Sequence, residues 1–209
     1  TEFKVTVEQL ERAKTAKTKV LLFVSPDNPS GAVYSREETI AIGKWAVAND
    51  IWVVTDEIYE HLTYGQHKFT SMPTVVPEIA DRCVIVNGVA KTYAMTGWRV
   101  GYMAGPAALV KACDVLQGQF TSGTCSIAQW ASVTALTGDL KPTYEMVKVY
   151  KKRRDIMVEL LGQIDGLEVD TPKGAYYLFP RVSSFYGKTI NGYTINDSLD
   201  FCNYILEEA

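Results

Sequence analysis

Three short, continuously apolar runs constrain the fold most. VLLFV at 20–24 leads into SPDNPSG at 25–31, IWVV at 51–54 into TDE at 55–57, and CVIV at 83–86 into NG at 87–88. A strand that is apolar on both faces suits a parallel sheet between two layers, whereas a half-solvated strand would alternate. Between the first two runs, Ser35 and Glu38 form a capping box, and Ala41, Ile42, Trp45 and Ala46 give the following helix an apolar face to about Asn49. Strand, helix, strand is a right-handed crossover unit. A fourth run, RVGYM at 99–103, ends at Gly105 and Pro106, and helical patterns follow at 106–117 and 125–137. This alternation predicts an α/β fold, a mostly parallel sheet with helices on both faces.

Past Gly138 the pattern changes. Pro142 opens a helical stretch at 142–164, with Met146, Val149, Tyr150, Ile156, Met157, Leu160 and Leu161 at helical spacing. Strands are expected at 167–169 and 175–179 around a Pro172-Lys173-Gly174 turn, and a helix at 198–208, which together make a smaller α+β unit. The expected division is therefore 1–140, a linking helix at 141–164, and a partial second domain at 165–209. The chain opens in mid-pattern without an initiator Met and ends inside a helix at 196–209, so a piece of a longer protein is expected.

Charge narrows the partners. With 21 Lys and Arg against 24 Asp and Glu, the net charge is −3, which gives no electrostatic reason for binding nucleic acid or an anionic membrane. The one dense basic run, KKRR at 151–154, reads as a solvated helix face. No apolar window approaches the ~18 residues that span a bilayer, and the first 20 residues lack a signal-peptide core. Four Cys without ligand spacing point to reduced thiols and a cytoplasmic location. His61 and His67 stand near no Cys or acid pair at ligand spacing, so no metal chemistry is expected.

Ligands of open α/β sheets bind beyond the carboxyl ends of the strands. Asn28, Asp56 and Lys91 follow the first three runs and Arg99 opens the fourth. An amide, an acid, a lysine and an arginine on one sheet edge suit a charged, planar, phosphate-bearing ligand. Taken singly, each has a plainer reading: a turn Asn, a loop or cap Asp, a solvated Lys and a surface ion-pair Arg.

SPDNPSGAVYS, TDEIYEHLTY, VNGVAKTYAMTGWRVGY and PKGAYYLFP, in this order and spacing, resemble the pyridoxal-phosphate aminotransferases of fold type I, class I/II, and most closely the bacterial aspartate aminotransferases. The resemblance implies the large cofactor-binding domain and part of the small one. It implies pyridoxal 5'-phosphate as cofactor, amino-acid and 2-oxo-acid substrates, and a homodimer whose subunits share active-site residues. It also implies a role for each residue. Lys91 is the lysine that bonds the cofactor and, once released by substrate, acts as base, its pKa lowered by burial beside the cationic ligand. Asp56 pairs with the pyridine nitrogen and keeps it protonated. Asn28 and Tyr59 donate to the ring 3′-oxygen, and Arg99 holds the phosphate in its fork of donors. Asp56 follows Asn28 by 28 positions and precedes Tyr59 by three, and Arg99 follows Lys91 by eight.

Some details depart from the pattern. Gly88 and Ala90 stand where the family often has Ser, and NPSG replaces the commoner NPTG. Glu57 is expected to be structural, and the Glu57–Glu60 pair a solvated face. Tyr34, Trp98, Tyr176 and Tyr177 are aromatic candidates for the cleft, with a core role at least as plausible for each. The family's phosphate loop, its ring-stacking aromatic and its substrate-carboxylate arginine in an RLSYA-like strand have no counterpart in the 209 residues, so this piece is expected to be inactive alone. The implied reaction is ping-pong transfer of an amino group, with aspartate as the expected donor, to 2-oxoglutarate. The same scaffold also serves C-S β-lyases and related lyases, and effector domains of transcription regulators.

Overall fold

A computed structural model describes residues 3–208. Helix α1 (Val7–Ala13) leads into β1 (Val20–Val24), α2 (Arg36–Ala48) and β2 (Trp52–Asp56). Then come the short α3 (Met72–Val75), β3 (Cys83–Gly88), the one-turn α4 (Val89–Thr92) and β4 (Gly101–Ala104). Helices α5 (Ala107–Phe120), α6 (Ser126–Thr137) and α7 (Lys141–Leu161) follow, then the hairpin β5 (Thr189–Ile190) and β6 (Tyr193–Thr194), and α8 (Ser198–Glu208). Ala209, which the sequence places in the last helix, lies outside the described residues. Among the described residues no helix is long and apolar enough to cross a membrane.

The three apolar runs are the first three strands, paired in the order β1-β2-β3 and parallel. Ser35 caps α2 as expected: its Oγ accepts from Glu38 N–H at 3.2 Å, and the Glu38 carboxylate accepts from Ser35 N–H at 2.7 Å. The apolar face of α2, with Ile42, Trp45 and Ala46, packs with Met72, Val76 and Ile79 on Phe23, Val53 and Cys83. Burial of this kind contributes roughly 1.5–3 kcal/mol per large side chain. The second face of the sheet is buried at Val84 but open at β1, where Leu22 is 74% exposed, so at this edge the expected helices are found on one face.

Strand β4 runs antiparallel to β3, with Gly88 opposite Gly101 and Ile85 opposite Ala104. The connection explains it: residues between the strands form only α4 and a 3-10 turn at Thr96–Trp98, too little to cross over the sheet and return parallel.

Two expected strands are absent. Residues 167–169 contribute a single bridge, Glu168 to Arg181, and 175–179 none, the neighbouring bridge from Thr63 falling on Gly174. Ala175 has φ +54°, which breaks an extended run, and its N–H donates to Leu62 O at 2.8 Å. The unforeseen β5–β6 hairpin turns at Asn191 and Gly192, both with positive φ, a preference of two-residue hairpin turns.

The segment around Gly174 is clamped on two sides. Gly31 O accepts from Lys173 N–H and Gly174 N–H, both at 2.9 Å, while Tyr64 N–H donates to Lys173 O at 2.9 Å and Tyr64 Oη–H to Ala175 O. A Cβ on Gly174 would stand 2.7 Å from Pro26 Cβ and 2.9 Å from Leu62 O, so this loop closes only over glycine. Gly174→Ala is expected to destabilise by about 2 kcal/mol in urea unfolding. Gly97→Ala, with nothing within 4 Å of the added carbon, should change it little.

Candidate active site

Strand register gathers the polar residues. Asp56, the last residue of β2, lies opposite Val24 at the end of β1 and Val86 near the end of β3. Asn28 follows β1, Lys91 sits in α4 directly after β3, and Ser25 N–H donates to Asp56 O at 3.3 Å. Because β4 is antiparallel, its first residue Gly101 faces Gly88 at this same edge, and Arg99 arrives there from the opposite direction.

Asp56 Oδ1 accepts from Ile58 N–H at 3.1 Å, an Asx turn that starts the loop to Tyr59. Tyr59 is buried, and its hydroxyl is bonded to that of Tyr177. Lys91 Nζ stands 5.9 Å from the Tyr59 ring centre and 5.5 Å from that of Tyr176. The rings of Tyr59 and Tyr176 meet edge to face at 5.5 Å. Arg99 is exposed in a left-handed conformation, φ +55°, and Nη1 donates to Thr96 O at 3.0 Å. Asn28, also exposed, precedes a cis bond to Pro29. The edge thus brings together Asp56, Tyr59, Lys91 and Arg99, with Asn28 on the adjoining loop.

The electrostatics at Lys91 are set by its aromatic neighbours. Its pKa is raised, first because its N–H groups can donate to the Tyr176 hydroxyl, with burial and the Arg99 charge opposing. A lowered pKa requires desolvation or a nearby cation to dominate, and here a phenol oxygen outweighs both. Tyr59 is pushed up by burial and by the hydroxyl of Tyr177, so it stays neutral. Burial would also raise Tyr176, but the nearby Lys91 amine and the Tyr59 and Tyr177 hydroxyls outweigh it and lower its pKa.

Several side chains are placed otherwise than expected. Glu57 is no part of a solvated face: it is 3% exposed, and Oε1 accepts from Thr55 Oγ1 at 3.1 Å and Ser71 Oγ at 2.8 Å. Glu60 accepts from Asn87 Nδ2 at 2.7 Å. Within KKRR, Arg154 leaves the solvated face. Its guanidinium lies 4.7 Å from the Tyr64 ring centre and Nη1 donates to Pro172 O at 2.9 Å. Of the aromatic candidates, Tyr34 belongs to the core, its ring 4.7 Å from that of Phe23 and its hydroxyl accepting from Val5 N–H. Trp98 is exposed beside Arg99, while Tyr176 and Tyr177 face Tyr59. Asn87, missed in sequence, is buried and accepts from Gly88 N–H at 2.7 Å, tying the Lys91 turn to Glu60. Only the polarity of Asn87 at the end of an apolar strand could have marked it.

Burial, with smaller contributions from Glu60 and Asp56, pushes the Glu57 carboxyl from 4.5 up to about 7. A raised folded-state value means that the contribution of protonated Glu57 is complete below pH 4.5 and is lost as pH rises through about 7. Stability should fall by up to ~3 kcal/mol across that window. In Glu57→Gln this part of the pH dependence should vanish, as measured by urea unfolding at several pH values.

The chain matches the family Aminotransferase class I and II over residues 1–209. It is 51% identical over its whole length to an aspartate aminotransferase of Streptomyces avermitilis, covering 51% of that protein. It is 46% identical to a probable aspartate/prephenate aminotransferase of Rhizobium leguminosarum, covering 98% of this chain and 52% of the other. The crystal structure of the Rhizobium meliloti aspartate aminotransferase superposes with a TM-score of 0.93 at 41% identity, over 99% of this chain and 52% of that one. The chain therefore spans about half the length of these relatives. Members of the family use pyridoxal 5'-phosphate. On the match over its full length, this chain belongs to the class I and II aminotransferases.

Proposed function

We propose that the protein containing these residues is an aspartate aminotransferase that passes an amino group to 2-oxoglutarate in a ping-pong sequence, with pyridoxal 5'-phosphate as cofactor. The observation that carries this reading is the convergence of Asp56, Tyr59, Lys91 and Arg99 on one sheet edge.

The donor set suits the cofactor. Among the described residues the Asp56 carboxylate accepts one hydrogen bond, through Oδ1, which leaves Oδ2 for a pyridinium N–H. Tyr59, held neutral, and Asn28 are donors for a ring oxygen, and Arg99 brings a guanidinium for the phosphate. Lys91 supplies the amine that bonds the cofactor and moves a proton to and from the substrate Cα. Bound pyridoxal phosphate supplies an electron sink for the electrons of the broken Cα–H bond. Asp56 supports that sink by holding the ring nitrogen protonated.

In this reading, residues 1–140 form part of the large domain, 141–164 the linking helix and 165–209 part of the small domain. The intact protein is a cytoplasmic homodimer; the apolar surface of Phe120, Ile127 and Trp130, each more than 70% exposed, supports a partner surface on α5 and α6. The 209 residues alone do not turn over, because they contain no counterpart of the substrate-carboxylate arginine.

Borohydride reduction in the presence of pyridoxal phosphate, followed by peptide mapping, tests the assignment. The label is expected on Lys91 and is lost in Lys91→Ala. A label settled on a different lysine would contradict it.

A further inference from the structure

In the proposed function Tyr59 has one partner, the ring oxygen of the cofactor, and Tyr177 has none. The structure nevertheless bonds the Tyr177 hydroxyl to the Tyr59 hydroxyl across 118 positions of chain. The two rings stand edge to face, with centres 5.8 Å apart and planes at 83°, and Tyr177 packs beside the buried cluster of Tyr59, Leu62 and Ala175. The backbone brings them together independently of that bond. Ala175 N–H donates to Leu62 O at 2.8 Å and Ala175 O accepts from the Tyr64 hydroxyl, so the loop that carries Tyr59 and the segment that carries Tyr177 are already joined. The meeting of the two oxygens is thus fixed by the fold and not by their own contact alone.

A phenol has one proton to donate and lone pairs with which to accept. Within the pair as it stands, either hydroxyl can be the donor. A Tyr59 that gives its proton to a ligand oxygen has only lone pairs left for Tyr177, so Tyr177 then has to donate. Two donors in line polarise one another and strengthen the outer bond. We propose that Tyr177 is a positioning residue for Tyr59: by donating to the Tyr59 oxygen it turns the Tyr59 proton towards the ring oxygen of pyridoxal phosphate. The inference rests on the reading of Tyr59 as a donor to that oxygen.

The test is a double-mutant cycle on the binding of pyridoxal phosphate, read by quenching of tryptophan fluorescence. Tyr177→Phe keeps the ring that packs on Tyr59 and removes one oxygen. It should weaken binding roughly three- to tenfold, the scale of one net hydrogen bond, and should cost nothing further in a Tyr59→Phe background, where the proton it directs is gone. For 3-deoxypyridoxal phosphate, which lacks the ring oxygen, the parent and Tyr177→Phe should bind alike. A merely structural role would weaken both ligands and would add to the loss in Tyr59→Phe. Unchanged affinity in Tyr177→Phe, a loss that persists in the Tyr59→Phe background, or an equal loss for the deoxy ligand overturns the proposal. Tyr177→Leu, which also lacks the hydroxyl, repeats the cycle if urea unfolding shows that the Phe variant does not fold. Weaker binding in Tyr59→Phe with none in Tyr177→Phe sinks only this inference, while no change in either variant, with Lys91 unlabelled by borohydride, sinks the enzymatic reading as well.

Discussion

The backbone ladder at the carboxyl ends of β1, β2 and β3 is the constraint on which the rest of the structure depends. Its register sets Val24, Asp56 and Val86 side by side, so the loops that follow begin together. A one-residue slip of β2 would turn Asp56 to the opposite face of the sheet, towards the core with Phe23 and Val53. The two-sided apolar runs hold that register through burial against α2. The antiparallel return of β4 then adds a cation from the other direction. Parallel strands alone would have placed Arg99 at the far end of the sheet.

A second constraint joins the small segment to this edge. Gly31, on the loop after β1, accepts from Lys173 and Gly174, and the loop after β2 binds the other side through Leu62, Thr63 and Tyr64. Arg154 of α7 closes the same junction through Pro172 and Tyr64. The loops that carry Asn28 and Tyr59 are therefore the loops that position Tyr176 and Tyr177. The candidate-site loops and the segment around Gly174 thus share their supports, closed over glycines that leave no room for an added carbon.

The first three strands, the capped α2 and the long α7 were legible because burial and capping leave local marks at 20–24, 35–38 and 142–161. The candidate site residues were legible as an ordered set, and the strand register places them at one sheet edge. The direction of β4 was not read, because it follows from a connection too short to cross the sheet. The strands expected at 167–169 and 175–179 failed because apolar runs do not reveal a left-handed Ala175 held by distant partners. Glu57 looked solvated by spacing and is buried by the turn of its own loop beneath Ser71.

In the proposed site, Asp56, Lys91 and Arg99 form one binding edge for a planar, phosphate-bearing ligand. Comparing pyridoxal phosphate with pyridoxal by quenching of tryptophan fluorescence tests it most directly, since Trp98 adjoins Arg99. Tighter binding of the phosphorylated ligand by at least about tenfold, with the difference abolished in Arg99→Ala, is the predicted result. Equal affinity for the two ligands, or a preference that survives in Arg99→Ala, would contradict the account.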